Sequence, residues 1–260
     1  MDILKYDQLF ENKMWYKTIP QILSWINTKG NMTWIWIDTE TTGLGGPKKQ
    51  QLTQISAIAT KYNFSTNSFE ELNVFDEKIK LTDETKSKYN DEGDKTKWVL
   101  SFNHYGTGGY KYKEEQEVIN SFFEWLKQFD NPFLIAQNAE FDMNMLSGRG
   151  DHNIKDEVFD TKLLIQLYYL PLLQKLSETD PKYKELVEFI GTSDRDGGLI
   201  SSSMSKVGPA VGIDMNNYHD ALTDCRITIG MYVKIIDFLE EHKDQDISKY
   251  QIDRIKSKRR

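Results

Sequence analysis

Apolar positions along the chain follow two periods, one helical and one alternating. Ile19, Ile22, Leu23 and Ile26 recur at helical spacing, with Tyr16 ahead of them and Trp25 among them. They predict an amphipathic helix ending at Gly30. Thr33, Trp34, Ile35, Trp36 and Ile37 are aromatic or β-branched and predict a buried strand. Residues 54–62 and 72–80 predict two further strands, paired as a hairpin or meander. Residues 114–129 put Val118, Ile119, Phe122, Phe123, Leu126 and Phe129 on one face of a helix. A short apolar strand over 132–136 then leads into a helix from Phe141 to Gly148. Residues 161–170 and 181–190 predict helices, the second with Asp180 as N-cap and Pro181 in its first turn. Residues 218–242 predict a long helix with Leu222, Cys225, Ile229, Tyr232, Ile236 and Leu239 along one side. Strands come early, helices late, and one strand–helix unit lies between them. That order predicts a mixed sheet flanked by helices, an α/β fold.

The intervening segments are polar. Residues 43–51 hold glycines, Pro47, Lys48 and Lys49 and predict a loop. Residues 82–113, rich in Lys, Asp, Asn and Gly, read as a surface insertion. A second insertion is expected near 171–205, with a loop over 191–203. The chain of 260 residues then divides into an N-terminal extension (1–30), a main domain (31–243) and a charged tail (244–260). The single cysteine, Cys225, excludes an intrachain disulfide, so a reducing, cytoplasmic setting is the default. No apolar run reaches the roughly 20 residues of a membrane helix, so no membrane partner is expected. Met1 to Phe10 lacks the pattern of a signal peptide.

Three groups of residues carry candidate chemistry. Asp38 and Glu40 follow the first strand, and side chains two apart on a strand point the same way. Two adjacent carboxylates repel, which raises a pKa, and a divalent cation removes the conflict. Oxygen ligands favour magnesium or manganese. The turn of Thr41, Thr42 and Gly43 places these acids at a strand's C-terminal end, where α/β sites usually lie. Asp142 follows a second apolar strand and opens a helix. Asp224 lies in the first turns of the long helix, with His219 just ahead of it; the chain has only 4 histidines. Unperturbed imidazole titrates near pH ~6.5, so it is mostly neutral at pH 7 and can accept a proton.

Asp38 to Leu44 (DTETTGL), Asn138 to Asp142 (NAEFD) and His219 to Asp224 (HDALTD) occur in that order. Together they resemble the three motifs of the DEDD exonucleases in their histidine-containing branch, which includes polymerase proofreading exonucleases, oligoribonuclease and ribonuclease T. The resemblance covers about 190 residues. It implies a ribonuclease H-like fold with a mixed sheet of about five strands. It also implies two-metal phosphodiester hydrolysis, with two divalent cations, Mg2+ or Mn2+, held by Asp38, Glu40, Asp142 and Asp224. His219 is then the base for the attacking water, and the product a nucleoside 5′-monophosphate. The substrate implied is the 3′ end of single-stranded nucleic acid, DNA as the first reading. Its terminal nucleotide would meet Thr42, Gly43, Leu44 and Phe141, with Asn138 in support. Formal net charge is −7, unusual for a binder of polyanions; two bound divalent cations would offset four of those charges.

Asp220 lies four residues before Asp224 and could share its helix face, but the motif assigns the ligand to Asp224. Asp160 is expected to cap a helix. Gln54 and Gln137 stand where family members often carry an acid and a histidine, which bears on substrate preference. Residues 94–113 interleave Lys95, Lys97, Lys111 and Lys113 with Trp98, Phe102, His104, Tyr105, Tyr110 and Tyr112. That composition suits either a single-strand track or a hairpin packing its rings on the core. Two other readings stand beside the DNA exonuclease: an RNA exonuclease of the same chemistry, and an inactive nucleic-acid-binding module. The second would have lost a catalytic position, and all five are present.

Overall fold

The computed structural model describes residues 18–90, 99–101, 105, 106, 109, 111–147, 149 and 158–258. Helix α1 (Ile19–Asn27) opens the described chain, with the Gln21 side chain accepting from the Thr18 N–H at its start. Strands β1 (Trp34–Thr41), β2 (Leu52–Asn63) and β3 (Ser68–Ile79) form an antiparallel meander. After α2 (Asp83–Asn90), the two-residue strand β4 (Tyr112–Lys113) joins the outer edge of β3. Helix α3 (Glu115–Leu126) crosses to β5 (Phe133–Ala136), which pairs parallel with β1. Helix α4 (Ala139–Leu146) and β6 (Val158–Asp160) complete a sheet of order β4-β3-β2-β1-β5-β6.

The period of two in β1 divides the core. Trp34 and Trp36 enter one apolar layer, and Ile35 and Ile37 enter the other. The first layer holds α1 and the long helix α9 (Ala221–Glu241); the second holds α3 and α4. Trp34, Trp36, Phe69 and Tyr232 of α9 form an aromatic cluster with ring centroids 5.0–6.1 Å apart. Asp38 and Glu40 continue the alternation of Trp34 and Trp36, so they face the α9 layer. Thr39 continues that of Ile35 and Ile37, so it faces α4. The register shifts between Glu40 and Thr41, a bulge that turns the chain out of the sheet right after the second acid.

Several elements depart from expectation. The sheet has six strands rather than about five, because β4 adds an edge. Residues 161–177 run as α5 (Thr161–Leu164), a π-helical stretch (Ile165–Tyr169) and α6 (Leu170–Ser177), and continue past Pro171, where the periodicity was expected to stop. Pro171 has no N–H for the Leu167 carbonyl four residues back. The Gln251 side chain donates to that carbonyl instead, at 2.8 Å. Helix α7 (Pro181–Ile190) matches its predicted bounds, with Asp180 accepting from the Lys182 N–H. The small hairpin β7 (Thr192–Ser193) and β8 (Leu199–Ile200) and helix α8 (Met204–Ala210) follow it. Leu172, Leu173, Ile190, Ile200 and Val207 are buried in the main layer, so the segment expected as an insertion near 171–205 is part of the core.

The expected charged tail contains α10 (Ser248–Lys258). Ile247, Tyr250, Gln251 and Arg254 are buried, at a spacing of one helix face. Among the described residues, no helix is long and apolar enough to cross a membrane.

Candidate active site

The site forms where β1 leaves the sheet. Asp38 and Glu40 come from β1, Asp142 from the first turn of α4, and Asp224 from the first turn of α9. Asp142 and Asp224 are only 2% and 3% exposed. The Thr39 N–H and hydroxyl both donate to Oδ1 of Asp142, at 2.9 and 2.7 Å. One strand thus presents two acids on one face and fixes a third with the residue between them.

Both helices bearing a site acid begin after a left-handed residue. Asn138 has φ 72° at the N-cap of α4, and His219 has φ 72° just before the Asp220 N-cap of α9. Left-handed backbone is uncommon for residues other than glycine, though Asn and His are enriched there. This turn aims the His219 N–H at both oxygens of Asp224, at 3.2 and 3.3 Å. Ligand atoms of Glu40, His219 and Asp224 lie within 4.8 Å of one another. Asp38 and Asp142 are outside that tight group but act on it electrostatically.

Burial raises the pKa of every one of these acids. Asp38 is pushed well up by burial and then by the charges of Asp142, Asp224 and Glu40. Glu40 is pushed well up by burial, Asp224 and Asp142, against an opposing pull from Lys78. Burial drives Asp142 up to about 7 despite the Thr39 hydrogen bonds, and Asp224 up to about 7 despite the His219 N–H. Four acids whose pKa values are raised by burial and neighbouring charge fit divalent cations that prefer oxygen donors.

A sign follows for stability. In metal-free protein these carboxyls titrate higher when folded than when unfolded. Between about pH 4 and 7 the folded state therefore binds more protons, and stability falls as pH rises. With chelator present, the melting temperature should drop by roughly 5–10 °C between pH 5 and pH 7.5. Mg2+ or Mn2+ should recover most of the loss at pH 7.5 and add less at pH 5. Scanning calorimetry at the two pH values decides it; an equal metal effect at both would contradict the crowded-carboxylate account.

Residues not anticipated from sequence support the cluster. Glu40, Gln54 and Lys78 are cross-strand partners in a row over β1, β2 and β3. Lys78, 3% exposed, donates to Oε1 of Gln54 at 2.6 Å and to Asp220 at 2.9 Å. Gln54 also accepts from the Ala221 N–H, and its amide donates to Asp76 and Asp220. Asp220 in turn accepts from the Thr223 N–H. Burial raises the Asp220 pKa, but the Lys78 hydrogen bond and charge outweigh it and hold the group below the usual carboxylate range. Asp220 therefore caps α9 and anchors it to the sheet. Lys78 carries no sequence signal, since its burial depends on a partner 142 residues away.

The nucleotide-contact candidates lie around this centre. Thr42 is buried, its hydroxyl donating to Gln50 and accepting from the Gln51 N–H, so it pins the 43–51 loop. The Gly43 carbonyl accepts from the Thr41 hydroxyl. Leu44 is 82% exposed. Phe141 is half-buried against the α3–α4 layer. Asn138 accepts from the Lys162 ammonium at 2.9 Å, and its N–H donates to Asp160, which also caps α5 by accepting from the Lys162 N–H. Arg149 donates to the Pro47 and Gln50 carbonyls and pairs with Glu115, bracing the same loop from outside. Gln137 accepts from Thr161. In the 94–113 segment, Lys95, Lys97, Trp98, Phe102, His104 and Tyr110 lie outside the described residues. Tyr105 and Tyr112 pack on each other, and their hydroxyls bond backbone groups, so these two rings serve the fold.

A mixed six-stranded sheet with acids from β1, α4 and α9 and a histidine before α9 has the layout expected of the DEDD exonuclease class. Residues 35–232 match the family model RNase_T, described as Exonuclease, and the chain belongs to that family. Among solved structures, exonuclease I is similar at TM-score 0.53 and 19% identity, over 82% of this chain and 44% of that one. Exonuclease I of E. coli in complex with a dA16 oligonucleotide gives 0.52 and 19% over the same shares. The RNase domain of yeast Pop2 gives 0.48 and 9%, over 85% of this chain and 84% of that one. The chain thus spans less than half the length of exonuclease I, and at this identity the likeness shows the fold. Among curated proteins none matches the chain.

Proposed function

We propose that this protein removes nucleoside 5′-monophosphates from the 3′ end of single-stranded DNA by two-metal hydrolysis. The observation carrying this reading is the convergence of half-buried Asp38, buried Glu40, Asp142 and Asp224, and His219 on one end of β1. Asp38, Glu40, Asp142 and Asp224 would hold two cations, Mg2+ or Mn2+. When bound, the cations lower the pKa of water and stabilise charge on the phosphate oxygens. His219, beside Glu40 and Asp224, takes the proton of the attacking water. The water oxygen bonds to phosphorus, the bond from phosphorus to the 3′ oxygen of the preceding nucleotide breaks, and that oxygen takes a proton from solvent and leaves as a hydroxyl. Leu44, exposed on a loop pinned by Thr42, and Phe141, at the start of α4, would meet the terminal base and sugar. Gly43 lets the backbone come close, and Asn138 holds the start of α4. The choice of DNA is supported by the similar fold of exonuclease I, which was solved with dA16.

The test is a single assay on matched single-stranded DNA and RNA oligonucleotides labelled at the 5′ end, with Mg2+ or Mn2+. A ladder shortening from the 3′ end on DNA is expected. Shortening of RNA alone would replace the substrate class and keep the chemistry. Intact oligonucleotides of both kinds would end the catalytic reading.

A further inference from the structure

Consecutive residues seldom bring their rings into close contact, yet Tyr218 and His219 do, in a tilted arrangement. Their ring centroids are 3.6 Å apart, at an interplanar angle of 43°. The cause is local backbone: Asn217 and His219 both adopt left-handed conformations, with φ 58° and 72°. Such strain persists where the surroundings fix it, and it clusters at functional sites. Here Asp224 fixes the His219 main chain, and Asp220 caps α9 one residue further on. Tyr218 is half-buried against the main apolar layer, and its N–H donates to the Met215 carbonyl. Burial, followed by the charges of Asp224, Glu40 and Asp38, pushes its hydroxyl up to about 12, so the ring stays neutral beside the acids.

We propose that Tyr218 is a positioning residue whose ring braces the His219 imidazole towards Glu40 and Asp224. This rests on the reading of His219 as the base. His219 is half-buried, and a histidine side chain has several staggered rotamers in principle. A ring fixed against one face removes some of them, and correct placement of a catalytic group is worth one to two orders of magnitude in rate. The ring does this, not the hydroxyl, so phenylalanine should serve in its place.

Two measurements test the pair. Nucleotide release by Tyr218→Ala should show kcat reduced about ten- to hundredfold with KM within about twofold, while Tyr218→Phe stays near wild type. In a His219→Asn background, adding Tyr218→Ala should cost nothing further. Carbethoxylation of His219 by diethyl pyrocarbonate, mapped by peptide mass, should run several-fold faster in Tyr218→Ala and unchanged in Tyr218→Phe. That second readout needs no turnover. If the wild type releases no nucleotide, the nuclease reading fails while carbethoxylation still reports on the pair. Unchanged His219 reactivity in Tyr218→Ala, or an equal loss of rate in the His219→Asn background, would overturn the brace.

Discussion

Asp38→Asn is expected to lower kcat by at least about 1,000-fold while making the metal-free protein more stable. The exchange keeps shape and volume but removes one of four clustered acidic charges. Stabilisation of phosphoryl charge by bound cations is worth several kcal/mol, and each ~1.4 kcal/mol is a factor of ten in rate. Asp38 is the acid on which burial and the charges of Asp142, Asp224 and Glu40 all press. Its removal therefore relieves repulsion when no cation is present. The melting temperature in chelator at pH 7.5 should rise by several degrees, and the gain on adding Mg2+ should shrink. Calorimetry and steady-state rates on the same preparation check both halves. A variant that loses activity and also melts earlier in chelator would show Asp38 to be structural instead.

His219→Asn should have the next largest effect, a fall of about 100- to 10,000-fold in kcat with little change in KM, the range for loss of a general base. Asparagine is the informative replacement because His219 sits at φ 72°, a conformation Asn tolerates and Ala does not. The hydrogen bonds to Asp224 come from the main chain and survive the exchange. Mn2+ binding, measured by its shift of the melting temperature, should stay close to wild type. Retention of more than about a tenth of the wild-type kcat would remove His219 from its role as base.

Much of this was legible in the sequence because it is local. Strand β1 could be read from Trp34, Ile35, Trp36 and Ile37, and a period of two then placed Asp38 and Glu40 on one face. Asp180 with Pro181, and Asp160 before Thr161, are caps whose chemistry lies within three residues. What was missed depends on distant partners. The path through Pro171 needs Gln251, 84 residues away. Helix α10 hid because two of its three buried positions are Gln251 and Arg254, so a hydrophobic pattern alone sees only a charged stretch. The polar row of Glu40, Gln54 and Lys78 depends on strand register, and the contact of Tyr218 with His219 on two left-handed residues. Composition announces neither.

The carbonyl of Leu167 sets a practical boundary. It lies in the buried turn just ahead of Pro171, and the side chain it bonds belongs to α10. Arg254, from the same helix, donates to the Ile200 carbonyl under the β7–β8 hairpin. A recombinant fragment ended near residue 243, where the charged stretch begins, would strand both acceptors in an apolar interior. Affinity tags should therefore be placed beyond Lys258. A shortened form that proves insoluble would report on two missing hydrogen-bond donors, not on the catalytic centre.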